Sequence, residues 1–169
     1  PPPAKSSPIT KGSIDIVTLG CRLNVYESEV MREHAQSNGL ENTIIINTCA
    51  VTNEAERSSR QSVRKAKKAN PTAKIIVTGC SAQINPDMYK EMPEVDLVLG
   101  NQEKMLRESF VFDEVSTSKE ATVRVNDIME IQETAHHLIA GFEDHARAFI
   151  QIQNGCDHRC TFCTIPYGR

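Results

Sequence analysis

Tryptophan is absent from the 169-residue chain, and aromatic residues make up only 5% of it. Aliphatic side chains must therefore supply most of any core. Long apolar runs are missing as well. Stretches such as TIIINTCAV (43–51) have strand length and fall far short of the ~20 residues a spanning helix needs. Neither sign of charge dominates: 19 Lys and Arg against 22 Asp and Glu give a net charge of −3. That balance does not mark the whole chain as a nucleic-acid binder, and it leaves room for local basic patches. The start, PPPAKSSPITKGS, has no apolar signal-peptide core, and residues 1–12 read as a disordered, Pro- and Ser-rich tail. No Ser–His–Asp arrangement or Gly-rich phosphate loop is visible. What remains is the composition of a globular cytoplasmic protein, 39% hydrophobic and 24% charged.

Cysteine is what the chain does have, six residues of it. In a cytoplasmic protein this number favours metal binding or catalysis over a disulfide framework. Their setting follows from the hydrophobic pattern. SIDIVTLGC (13–21), TIIINTC (43–49), AKIIVTGC (73–80) and VDLVLGN (95–101) read as buried strands. Helices fit between them. One opens with Asn24 as cap and Glu27 three residues on, and runs to about Asn38. Another has Asn53 and Glu56 as a capping box and runs to about Ala69. Asn85 and Pro86 suit the start of a short third helix, and Asn101 caps a fourth that reaches about Ser109. Alternating strands and helices with short connections predict a Rossmann-like α/β domain over 13–110, with a parallel sheet covered on both faces. Residues 111–145 form a connecting segment in which RVNDIMEI (124–131) suits an edge strand. ARAFIQIQNGC (146–156) reads as a new strand opening a second unit over 146–169, and the abrupt end at Arg169 suggests truncation.

The cysteines form two sets. Cys21, Cys49 and Cys80 close three strands in nearly one register, as TLGC, INTC and VTGC. Parallel strands would bring these thiols to the carboxyl-end rim of the sheet, where ligands of open α/β sheets bind. Ordinary buried cysteines, or a redox disulfide between two of them, are the competing explanations. Cys156, Cys160 and Cys163 are packed into one loop. Zinc completed by His158 is one reading of them. An iron–sulfur cluster with an exchangeable position on its fourth iron is the other, and three thiols without a fourth suit it better.

GCDHRCTFCTIPYGR resembles the CxxxCxxC loop of radical S-adenosylmethionine enzymes. Together with LGCRLN, NTCAVT and VTGC, the chain resembles the radical S-adenosylmethionine methylthiotransferase family over about 13–110 and 146–169. The resemblance implies two 4Fe–4S clusters, one on Cys21, Cys49 and Cys80 and one on Cys156, Cys160 and Cys163. The latter would leave an iron for S-adenosylmethionine, with Phe162 beside the adenine or packing the loop. It also implies radical C–H thiolation and methyl transfer. One family branch acts on isopentenyladenosine in tRNA and another on ribosomal protein S12. GCRLN and PYGR look most like the branch that converts threonylcarbamoyladenosine 37 of tRNA to its 2-methylthio derivative. Further partners implied are an electron donor such as flavodoxin or ferredoxin, and a sulfur source; no membrane is implied. SNGLENTIIINTC (37–49) is shorter than the family usually has, which leaves strand number and order open. Most of the radical domain, a partial TIM-like barrel, and the RNA-binding TRAM domain are missing, so the chain alone is expected to be inactive. A non-catalytic zinc module is the rival from another class.

Other features carry less. Arg57, Arg60, Arg64, Lys67 and Lys68 stripe the second helix opposite Ala55, Ser59, Val63 and Ala66. This suits a solvated face more than a phosphate-contacting edge. His136, His137 and His145 lack ligand spacing and read as surface residues.

Overall fold

The computed structural model describes residues 13–112, 120–130 and 152–169. The expected tail at 1–12, the three histidines and the expected domain boundary near Asp144 lie outside these residues. So does most of the strand expected from Ala146; residues 152–154 carry no regular structure.

Five parallel strands form one sheet in sequential order: β1 (Ile14–Thr18), β2 (Thr43–Thr48), β3 (Lys74–Gly79), β4 (Leu97–Leu99) and β5 (Thr122–Arg124). The question of strand order left by the short 37–49 segment is thereby answered. In register, Thr18 lies opposite Asn47, and Thr48 opposite Gly79. The interior strand β2 is buried along its whole length, as its Ile-rich run requires, and alternation divides it between two cores. Ile44 and Ile46 join Ile75, Val77, Val63 and Tyr89 on one face. Ile45 joins Ile76, Leu97, Leu99, Met31 and Phe110 on the other. Each such aliphatic side chain contributes roughly 1.5–3 kcal/mol by leaving water.

Helix α1 (Arg22–Ser37) packs on the second core through Met31 and Ala35. Helix α2 (Asn53–Ala69) packs on the first through Val63 and Ala66. The short helices α3 (Cys80–Ile84) and α4 (Pro86–Lys90) follow, with Asn85 and Pro86 at the start of α4 as expected. Three local expectations are corrected. Cys21, not Asn24, is the N-cap of α1; Asn24 is buried one turn in. Thr52, not Asn53, caps α2, its hydroxyl accepting from the Ala55 N–H at 3.1 Å. Beyond Asn101 there are two single 3₁₀ turns, Glu103–Met105 and Arg107–Ser109, because Leu106 is extended and interrupts the helix. The edge strand lies at Thr122–Arg124, sharing only Arg124 with the stretch expected for it, where Ile128–Glu130 instead form a 3₁₀ turn. Among the described residues no helix is long and apolar enough to cross a membrane.

The cap gives a direct test. Thr52→Ala removes one acceptor for an otherwise unpaired helix N–H and is expected to cost about 1 kcal/mol, read as a lower urea midpoint at unchanged slope. The basic stripe is partly committed to structure: Lys67 Nζ donates to the Ala73 carbonyl at 2.7 Å and stands 3.7 Å from Asp96. Arg57, Arg64 and Lys68 are exposed.

Candidate metal centre

Side-chain amides stitch the strand ends together at the carboxyl rim. Asn24 Nδ2 donates to the carbonyls of Leu19, at 2.6 Å, and Thr48, at 3.1 Å, tying the end of β1 to that of β2. Asn47 Nδ2 donates to the Asn24 carbonyl at 3.1 Å. Thr48 Oγ1 donates to the Thr78 carbonyl at 2.6 Å and accepts from the Ala82 N–H at 3.3 Å, so β3 and α3 are locked to β2. This rigid rim fixes the thiol positions. Cys49 follows β2 directly, and Cys80 follows β3 as the first residue of α3. Cys21 stands three positions beyond β1, after Gly20 at φ +93°. A Cβ on Gly20 would come within 2.9 Å of Cys49 Sγ, so glycine is what lets the two cysteine turns approach.

Cys21, Cys49 and Cys80 line one cavity of about 280 Å³. Its remaining wall includes Leu23, Val51, Gln153, Gly155, Thr164, Ile165 and Arg169. The segment carrying the second thiol set therefore closes the cavity of the first. Its short helix α5 (Ile165–Gly168) packs on α3. Asn101 Nδ2 donates to the Gly168 carbonyl and points at Cys80 Sγ, 3.8 Å away.

Arg169 reaches deepest. Its guanidinium donates to Glu27 Oε1 at 2.6 Å and Oε2 at 3.1 Å, to Asn154 Oδ1 at 3.2 Å and to Asn24 Oδ1. Lys104 Nζ meets Glu27 Oε2 from the other side at 2.5 Å. Burial alone would push the Glu27 carboxyl up, but Lys104 and Arg169 hold it below the usual carboxylate range. Burial pulls the Lys104 ammonium down, against the attraction of Glu27. Burial also opposes the charge on Arg169, yet its bonds to Glu27 and the nearby thiols of Cys80 and Cys21 push the guanidinium above its ordinary value.

In the second set, the Cys163 N–H donates to the Cys160 carbonyl at 3.1 Å, closing a turn. Cys160 is exposed, and Cys156 and Cys163 are half-buried. Phe162 is 89% exposed. His158 is exposed too. The structure thus brings Cys21, Cys49 and Cys80 around one cavity and leaves Cys156, Cys160 and Cys163 on an adjoining loop outside its wall.

Among the described residues no three His, Cys, Asp or Glu side chains are drawn together tightly enough to grip a single metal ion. A structural zinc needs four donors at about 2.0–2.3 Å. A four-iron cluster takes each thiolate on a different iron, and thiols spaced around a cavity fit that demand. No local pattern points to Lys104 or Arg169, and Glu27 is not the capping partner its spacing from Asn24 suggests. The one available signal was that Glu27 precedes Val30 and Met31 by a helical turn and so shares their inward face.

Fold and rim together define a parallel α/β domain that presents thiols at its strand ends, with a second thiol loop docked on them. The family described as "Uncharacterized protein family UPF0004" matches residues 13–100, and the chain belongs to it. Over 155 residues, 92% of this chain, it is 57% identical to the threonylcarbamoyladenosine tRNA methylthiotransferase MtaB of Rickettsia prowazekii. It is 36% identical over 162 residues, 90% of its length, to the protein of the same name from Aquifex aeolicus. It is 32% identical over 164 residues, 91% of its length, to the tRNA-2-methylthio-N(6)-dimethylallyladenosine synthase of Protochlamydia amoebophila. The chain spans only 35%, 39% and 36% of these relatives, respectively. The resemblance to methylthiotransferases carried by the cysteine motifs holds along nearly the whole chain.

Proposed function

We propose that the chain is the cluster-carrying N-terminal part of a cytoplasmic tRNA methylthiotransferase acting on threonylcarbamoyladenosine 37. The observation that carries this is the single cavity lined by Cys21, Cys49 and Cys80 and walled by the segment bearing Cys156, Cys160 and Cys163. Residues 13–110 form the first cluster domain, 111–145 connect, and 146–169 begin a radical S-adenosylmethionine barrel. When bound, the two 4Fe–4S clusters and S-adenosylmethionine would supply radical thiolation and methyl transfer. The chain's own residues hold and shield them. The six cysteines supply thiolates, and Phe162 offers an exposed ring to the adenine. Leu23, Val51 and Ile165 present apolar wall that limits water at the strand-end site. Asn101 directs an N–H at the Cys80 sulfur, a contact that orients a thiolate ligand. An electron donor, a sulfur source and tRNA complete the reaction. The branch assignment is supported by GCRLN and PYGR and by the names of the Rickettsia and Aquifex relatives.

Anaerobic reconstitution with iron and sulfide tests the centre. The chain is expected to take up about eight irons, falling to about four when Cys21, Cys49 and Cys80, or Cys156, Cys160 and Cys163, are replaced by alanine. Zinc without sulfide at both sets would overturn the reading in favour of a metal module. For the substrate, the chain extended by the C-terminal region of its relatives is incubated with tRNA bearing either nucleoside. Methylthiolation of the isopentenyl form alone would reject the branch.

A further inference from the structure

A single carboxylate, Glu27, holds two basic groups in the interior, Lys104 Nζ at 2.5 Å and Arg169 Nη1 at 2.6 Å. The three side chains are only 3%, 0% and 6% exposed. Buried charges are normally matched, because an unmatched one has lost its hydration without replacement. Here the bases outnumber the acid. Glu103, also buried, does not redress the balance: its Oε1 accepts from the Asn126 N–H at 3.2 Å, and among the described residues both bases pair with Glu27 and not with it. The surplus faces the three-thiol cavity, whose wall includes Arg169. Burial is the main cause that holds the Lys104 ammonium low, and the nearby Arg169 cation pushes the same way against the pull of Glu27. An anion in the cavity would relieve the mismatch.

We propose that Arg169 is the charge-balancing residue of the strand-end cavity, setting a permanent cation against the anionic group that Cys21, Cys49 and Cys80 hold. The proposal rests on the cluster reading above. Net charge is one of the main levers on a cluster's reduction potential, and a nearby cation favours the reduced, more negative form. Arg169 is thus a positioning residue, acting on a group that the cysteines hold. It is delivered by the segment that carries Cys163, so docking of the second thiol set tunes the first.

The test uses the whole chain with Cys156, Cys160 and Cys163 replaced by alanine, reconstituted with iron and sulfide, so that only the strand-end site is read. Midpoint potentials are measured by redox titration followed by electron paramagnetic resonance, for this parent and for Arg169→Lys and Arg169→Gln added to it. Removing Arg169 leaves Glu27 and Lys104 as a matched pair, so both variants are expected to fold, as checked by far-UV circular dichroism. Arg169→Gln should shift the potential to a more negative value, whereas Arg169→Lys should stay near the parent. A Gln variant that matches the parent overturns the proposal. So does a Lys variant shifted as far as Gln, which would give Arg169 a shape role through its fork on Glu27. Loading of the Lys variant but not the Gln variant would show the need for a cation at assembly itself. Failure of both folded variants to load would reject it. A parent that takes up no iron and sulfide sinks the cluster reading, and this proposal with it; a parent that loads isolates the failure to Arg169.

Discussion

Glu27→Ala is expected to lower the stability of the chain by about 3–5 kcal/mol, a large share of the roughly 5–15 kcal/mol that holds a typical domain together. The size follows from what the substitution leaves behind. Lys104 is fully buried and Arg169 nearly so, and both lean on the one carboxylate. Without it two basic groups face each other with no carboxylate between them. The chain has no tryptophan, so urea unfolding is best followed by far-UV circular dichroism. A second substitution separates charge from packing: Lys104→Met in the Glu27→Ala background removes one stranded cation and should recover part of the loss. A double variant as unstable as the sum of the singles would show that the pair is not coupled.

The same carboxylate sets an acid limit. Its ordinary value is 4.5, and the fold holds it lower. A depressed carboxyl stabilises the folded state fully above its unfolded value, and that contribution disappears as pH falls through the folded one. The Glu27 contribution is therefore intact at neutral pH, begins to fade below about pH 4.5 and is absent from Glu27→Gln, whose acid-unfolding curve should be flatter in that range.

The sheet was legible in the sequence because β2 is built on a run of three isoleucines and the cysteines punctuate three strands alike. The six thiols could be grouped on spacing alone. The charged cluster could not. Glu27 lies 77 positions from Lys104 and 142 from Arg169, and a Glu three residues after an Asn resembles a cap wherever it points. Helix starts slipped by one to three residues because neighbouring polar side chains compete for the same N–H groups: Thr52 wins over Asn53, while Asn24 turns inward to bind the ends of β1 and β2. The helix expected after Asn101 failed for a tertiary reason. The chain turns extended at Leu106, and Asn101 is held from outside, its N–H donating to Gln83 Oε1 and its Nδ2 to the Gly168 carbonyl, partners that no local pattern encodes.

Gly79→Ala should strike both fold and site, because the last residue of β3 is where the sheet hands its third thiol to the rim. Gly79 has φ +98° and ψ −174°, a region that residues with a Cβ rarely enter. A Cβ there would also lie 2.5 Å from the Thr48 backbone nitrogen and 2.7 Å from Asn47 Oδ1, and would overlap the Thr48 carbonyl oxygen. The obstacle is the backbone of the neighbouring strand, which cannot swing aside as a side chain can. Strain of about 1–3 kcal/mol and overpacking of similar size add, giving an expected loss of about 3 kcal/mol or more. Because relief must come from moving the β3 end, Cys80 moves with it. Gly20→Ala offers the contrast: there the new Cβ meets the Cys49 side chain at 2.7 Å and 2.9 Å rather than a strand backbone. It should cost less stability, yet displace a thiol just as surely. Urea midpoints and iron uptake at the strand-end site, measured on both variants, separate the two. Gly79→Ala is expected to lose both and Gly20→Ala chiefly the iron. Full iron uptake by Gly20→Ala would mean that Cys49 is not held where the cavity needs it.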